Sequence, residues 1–92
     1  MSEIGIIEIA SKVDAWRVRV RVSDHGSSRD FEVVVTQAEM ASFAPGELDP
    51  ADLVRRSFAF LLAREPKESI LGSFGLSTIV RYFPEYETAI RR

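Results

Sequence analysis

Three arginines at alternate positions, Arg17, Arg19 and Arg21, have a spacing that could do chemistry. On an extended strand, side chains two residues apart project from one face. These guanidiniums would then form a row able to grip successive phosphates of a nucleic-acid backbone. Arg55 and Arg56 are a second basic pair in a helical stretch. Two observations weigh against a nucleic-acid role. The chain carries 12 Lys and Arg against 14 Asp and Glu, a net charge of −2, the wrong sign for a protein that coats a polyanion. The next strand also sets Asp30 and Glu32 opposite the arginine row, where cross-strand ion pairs cancel much of the field. Nucleic-acid binding through Arg17, Arg19, Arg21, Arg55 and Arg56 is therefore the alternative reading.

Catalytic constellations are sparse. The chain has no Cys and one His, which removes thiol nucleophiles, disulfides, zinc-cysteine sites and His-rich metal sites. His25 lies beside Asp24 and before Ser27 and Ser28, but one tight loop cannot bring a Ser-His-Asp set into triad geometry. Asp49 and Asp52 read as the cap and first-turn charge of a helix. Glu85 and Glu87 flank Tyr86 with no His or Cys nearby. No Gly-rich phosphate loop occurs. Ile70, Phe74, Gly75 and Leu76 fit the turn of a helix-turn-helix, but Arg81 and Pro84 occupy positions where its recognition helix needs apolar residues, and Pro84 would break that helix. The expectation is a non-enzymatic protein with no cofactor, no metal and no small-molecule substrate.

The remaining candidate is aromatic. Tyr82-Phe83-Pro84-Glu85-Tyr86 gathers three rings around a proline, a composition that interface hot spots favour. Upstream, Arg64 falls inside the apolar arc of its helix, between Leu53 and Leu61. A cation there snorkels outward or caps the helix end, with Glu68 or Glu85 as its expected partner. Arg64, Tyr82, Phe83 and Tyr86 are the expected interaction residues.

The elements that must position them are legible from periodicity. Trp16, Val18, Val20 and Val22 alternate with the arginines, and Phe31, Val33 and Val35 alternate with Asp30, Glu32 and Val34, the period-two signature of half-buried strands. A two-residue turn at His25-Gly26 pairs Val20 with Phe31, Val18 with Val33 and Trp16 with Val35 on one face. On the other face it pairs Arg21 with Asp30 and Arg19 with Glu32. A turn around Lys12-Val13 would pair Ile9 with Trp16, Ile7 with Val18 and Glu8 with Arg17. The expected sheet is an antiparallel meander over about residues 4–10, 15–23 and 29–35.

Helices follow. Thr36-Gln37-Ala38-Glu39 is a capping box, with Val35 and Met40 as its staple and Ala44-Pro45-Gly46 as its stop. Asp49 caps a second helix with Pro50 at its first position and Leu48 and Leu53 as its staple, running to about Arg64. Its later half, Phe58-Ala59-Phe60-Leu61-Leu62-Ala63, is apolar on every side and needs cover on more than one face. Pro66 ends it, with one further turn to Leu71. Ser77 is the expected cap of a last helix that Pro84 restarts or kinks. The whole reads as a single α+β domain, 1–92, ordered β-β-β-α-α-α, with the sheet in 1–35 and the helical layer in 36–92.

Leu53-Val54-Arg55-Arg56-Ser57-Phe58-Ala59-Phe60-Leu61-Leu62-Ala63-Arg64-Glu65-Pro66-Lys67-Glu68-Ser69-Ile70-Leu71, followed by Leu76 and Tyr82-Phe83-Pro84-Glu85-Tyr86, resembles an uncharacterised family of small bacterial proteins with the pattern FxFLLxREPxxSIL then YFPEY. The resemblance implies a short stand-alone protein and brings no activity or partner with it. The acidic N-terminal start lacks the features of a signal peptide. The longest uncharged stretch, Ser69 to Val80, has twelve residues where a spanning helix needs about 20. The expected protein is a cytoplasmic interaction module. It engages a protein partner or, because its apolar helix needs cover, a second copy as a homodimer.

Overall fold

The computed structural model describes residues 2–91; Met1 and Arg92, the ends of the expected domain, lie outside the described residues. The central hairpin follows from its turn. Strand β2 (Ala15–Asp24) and strand β3 (Ser27–Thr36) are joined by His25 and Gly26, at φ 48° and 78°. Both residues are left-handed, the geometry whose twist matches a two-residue hairpin. The register is the expected one on both faces: Val20 opposite Phe31, Val18 opposite Val33, Trp16 opposite Val35, Arg21 opposite Asp30 and Arg19 opposite Glu32. Val18, Val20, Val22, Val33 and Val35 are fully buried.

Strand β1 (Glu3–Ser11) pairs antiparallel with β2, but in a different register from the expected one. Ile9 lies opposite Val18, Ala10 opposite Arg17 and Ser11 opposite Trp16. The loop is longer than a two-residue turn and closes through the Lys12 N–H on the Ala15 carbonyl, 2.7 Å away. A shift of two keeps each side chain on its face. An irregularity between Ile6 and Glu8 then leaves Ile7 without a partner and sets Ile6 opposite Val20. Such a bulge resolves a conflict in the sequence: with strict alternation Ile6 and Ile9 would face opposite sides, whereas the extra residue sets them on one face, opposite Val20 and Val18, where Ile4 and Ile6 pack against the core and Ile9 stays exposed.

A fourth strand was not expected. Strand β4 (Ser73–Gly75) pairs parallel with β3, with Phe74 opposite Val33, giving the order β1-β2-β3-β4. Three residues are too few to show a period. Helix α1 (Gln37–Phe43), helix α2 (Pro50–Leu62) and a 3-10 turn (Lys67–Ser69) make the crossover to β4. Helices α3 (Leu76–Tyr82) and α4 (Tyr86–Ile90) follow. The α+β class stands, and the order of three strands then three helices is replaced by four strands and four helices. No described helix is long and apolar enough to cross a membrane.

Helix starts follow their caps. Glu39 Oε1 accepts the Thr36 N–H at 2.9 Å while Thr36 Oγ1 accepts the Glu39 N–H at 3.0 Å, completing the capping box. Glu39 Oε2 accepts from the Ser77 N–H and hydroxyl at 3.0 and 2.6 Å, tying α1 to α3. Ser77 is therefore bound from outside and does not cap α3; Gly75 occupies that cap position. Asp49 caps α2 through the Ala51 N–H, but Leu48 is 91% exposed, so the Leu48–Leu53 staple does not form.

The apolar half of α2 is covered by its own chain: Phe58, Phe60 and Leu61 are buried, and only the small side chains Ala59 and Ala63 are exposed. Phe58 packs at a tilt against Phe31 and Phe74, with ring centroids 5.2 and 5.9 Å apart. On the other side sits Tyr86, expected on an exposed patch and found fully buried. Its ring packs edge-on against Phe43 and Phe60 at 5.4 and 5.2 Å, because Pro84 turns α4 back across α2. Ser57 gives its hydroxyl proton to the Leu53 carbonyl at 2.7 Å, so the Tyr86 hydroxyl, 2.6 Å from Ser57 Oγ, donates to Ser57. Burial pushes the Tyr86 pKa up to about 12.

Tyr86→Phe should therefore cost about 0.5–1.5 kcal/mol, the worth of one hydrogen bond, and Tyr86→Ala about 3–5 kcal/mol through the cavity it leaves. Tyr82→Ala should stay within about 0.5 kcal/mol. Urea unfolding of the three variants measures the series, and equal costs at the two tyrosines would show that Tyr86 does not hold α4.

Candidate functional site

An apolar groove lies where α2, the segment after the 3-10 turn, β4 and α3 meet. Pro66, at ψ 159°, breaks away from α2, and the turn Lys67–Ser69 sends the chain back toward the sheet. Between these segments opens a groove of about 330 Å³, lined by Leu61 of α2 and by Ile70, Leu71, Phe74, Ile79, Tyr82 and Phe83, with Glu65, Ser69 and Thr78 as its polar members. This volume is at the lower end of the range for small-molecule pockets. Leu61, Ile70 and Ile79 form a buried floor, whereas Leu71 and Tyr82 are 51% and 69% exposed. Two exposed apolar side chains bordering one depression mark a contact surface more than a scatter of single residues does.

The expected interaction residues divide here. Tyr82 and Phe83 line the groove, and Tyr86 belongs to the core. Arg64 does not line the groove. Its guanidinium lies 3.6 Å above the Phe60 ring, donates to the Phe60 carbonyl at 3.0 Å and pairs with Glu85 at 3.4 Å. Of its two expected partners Glu85 is the one used. Arg64 thus closes the end of α2 and anchors the chain before α4, and Phe83 packs edge-on against the same Phe60 at 6.0 Å.

A second cluster escaped the sequence reading. Lys67 is 4% exposed, with Nζ 2.5 Å from Asp24 Oδ1 and 2.8 Å from Glu68 Oε2. Ser2 donates to the other Asp24 oxygen at 3.1 Å, and Arg29 Nη1 donates to the Lys67 and Glu68 carbonyls at 3.1 and 2.9 Å. The hydrogen bond to Asp24, then that to Glu68, raises the Lys67 pKa. The hydrogen bond from Lys67 lowers those of Asp24 and Glu68. An ammonium held this way is neither nucleophile nor base, and the cluster pins the β2–β3 turn to the chain after α2. Asp24 therefore faces Lys67, while His25 is exposed and Ser27 donates to the Asp24 carbonyl at 3.4 Å. Nothing in periodicity links Lys67 to Asp24, 43 positions away in the chain.

The arginine face is largely compensated. Arg21 makes a two-pronged pair with Asp30 at 2.8 and 3.1 Å, and Arg17 reaches Glu32 at 3.3 Å. Arg19 lies opposite Glu32 and Glu8 but has no ion pair within 4.0 Å among the described residues. Arg56 binds Asp52, Glu47 and the Ile90 carbonyl at 2.9, 2.9 and 2.6 Å, joining α2 to the end of α4. Arg55 is exposed. No protein-family profile matches this chain, and no curated protein or solved structure shows detectable similarity to it.

The Lys67 pin has a defined pH window. Asp24 and Glu68 titrate lower in the folded chain, so their contribution is present above their ordinary values of 3.8 and 4.5 and is lost as pH falls through the folded ones. Lys67 titrates higher, so its contribution is complete below 10.5 and is lost as pH rises through the folded value. Lys67→Met should destabilise the protein at neutral pH, and the gap to the parent should narrow below about pH 4. A gap constant from neutral to acid pH, measured by chemical denaturation, would mean that Lys67 acts by packing alone.

Proposed function

We propose that this chain is a non-enzymatic protein-interaction module and that its docking surface is the groove bordered by Leu71 and Tyr82. What supports it is one observation: the two exposed apolar residues border a depression whose floor is already the hydrophobic core. A partner's apolar side chain entering there would displace water from both at once. Burying such anchors in a concave pocket is how interfaces concentrate their affinity. The polar clusters elsewhere serve the fold, since Lys67, Arg64, Arg56 and Arg21 each have carboxylate partners.

Self-association belongs to the same proposal, with the groove rather than α2 as its contact, because the apolar half of α2 is already covered. Light scattering across a dilution series separates the two partners. A second copy gives a mass above 10.3 kDa that Leu71→Asp returns to the monomer, and a different protein leaves the purified chain at 10.3 kDa.

The surface itself is tested with Nile red, an uncharged apolar dye. The folded protein should enhance its fluorescence, and Leu71→Asp with Tyr82→Asp should abolish the enhancement while leaving the circular dichroism spectrum unchanged, since both side chains are largely exposed. Enhancement that persists in the folded double variant would remove the groove as the docking surface.

A further inference from the structure

The groove contains one carboxylate whose situation differs from every other. Asp24, Asp30, Glu32, Glu47, Asp52, Glu68, Glu85 and Glu87 each pair with a basic side chain, and Glu39 and Asp49 accept backbone hydrogen bonds at helix starts. Among the described residues, Glu3, Glu8, Asp14 and Glu65 have no side-chain hydrogen bond and no ion pair within 4.0 Å. The first three are exposed, and water satisfies them. Glu65 is half-buried and is shared between this groove and the polar depression that holds Lys67, Asp24 and Glu68. The nearest cations in the chain are committed elsewhere: Arg64 to Phe60 and Glu85, and Lys67 to Asp24 and Glu68. No lining residue is basic.

This placement constrains the occupant. An apolar group that fills the groove strips water from Glu65 as well as from Leu71 and Tyr82. If the occupant is uncharged, the carboxylate is left partly desolvated and unpaired, which costs binding energy. If it carries a cation beside its apolar part, the loss becomes a charge-assisted hydrogen bond. The hydroxyls of Ser69 and Thr78, in the same lining, are able to accept further N–H donors. An anionic occupant would be repelled. Resting on the proposal that the groove is a docking surface, we infer that its partner is a protein segment presenting an apolar side chain next to a protonated amine or guanidinium, with Glu65 as the counter-ion.

The test uses two small probes of nearly equal shape, 2-phenylethylamine as the cation and 2-phenylethanol as its neutral counterpart, titrated into the ¹⁵N-labelled full chain. Both should shift the groove amides, among them Leu61, Ile70, Phe74 and Ile79. The amine should bind about fivefold more tightly, the scale of a partly exposed ion pair, and added salt should reduce that advantage. Glu65→Gln should abolish the amine's advantage and leave the alcohol's affinity unchanged. Equal binding of the two probes, an advantage that survives Glu65→Gln, or amine shifts centred on Asp24 and Glu68 would each overturn the inference while leaving the groove as a docking surface. Failure of both probes to move the groove amides would overturn the docking surface and the inference with it.

Discussion

A helix whose second half is apolar on every side must be enclosed by a chain of only 92 residues, and most of the architecture answers to that demand. Phe58, Phe60 and Leu61 point in directions no single surface can cover. The sheet supplies Phe31 beneath Phe58, β4 adds Phe74, and α4 returns after Pro84 to set Tyr86 against Phe60. The hydrophobic effect is non-directional, so it does not by itself say which segment covers which side. The choice is made by the polar groups that accompany each segment. Tyr86 reaches Ser57, the polar side chain in the buried stretch of α2, and leaves neither hydroxyl unsatisfied.

The covering elements are short. Helix α3 has seven residues and α4 has five, below the length at which a helix persists alone in water. Each is held by bonds from another element. Glu39, already engaged in its own capping box, binds the start of α3. Arg56 binds the last carbonyl of α4, and Arg91 reaches back to Ser42. Lys67 does the same for the 3-10 turn, joining it to the β2–β3 hairpin. Arg56, a candidate nucleic-acid contact in the sequence, is thus a fastener in the fold.

Enclosure is incomplete at the groove. Between the 3-10 turn and α3 the covering segments diverge, and the core reaches the surface along Leu71, Phe83 and Tyr82. The stretch from Leu61 through Leu71 builds much of this groove, together with Tyr82 and Phe83. An apolar opening with a single unpaired carboxylate in its wall is suited to recognition by a mixed apolar and cationic partner.

The β2–β3 register, the His25-Gly26 turn, the capping box at Thr36 and the caps at Asp49 and Pro50 were all legible in the sequence. Each depends on residues close in the chain, where alternation, turn chemistry and N-cap geometry act locally. The bulge at Ile7, the parallel strand at Ser73–Gly75 and the burial of Tyr86 were not legible, because each is decided by segments distant in sequence competing for the same side of the core. The sequence marked Tyr82-Phe83-Pro84-Glu85-Tyr86 as aromatic but could not divide it. Only the path of α4 across α2 sends Tyr86 inward and leaves Tyr82 at the surface. The Lys67–Asp24 pair and the isolation of Glu65 were hidden for the same reason, since whether a charge has a partner depends on the three-dimensional arrangement of the chain.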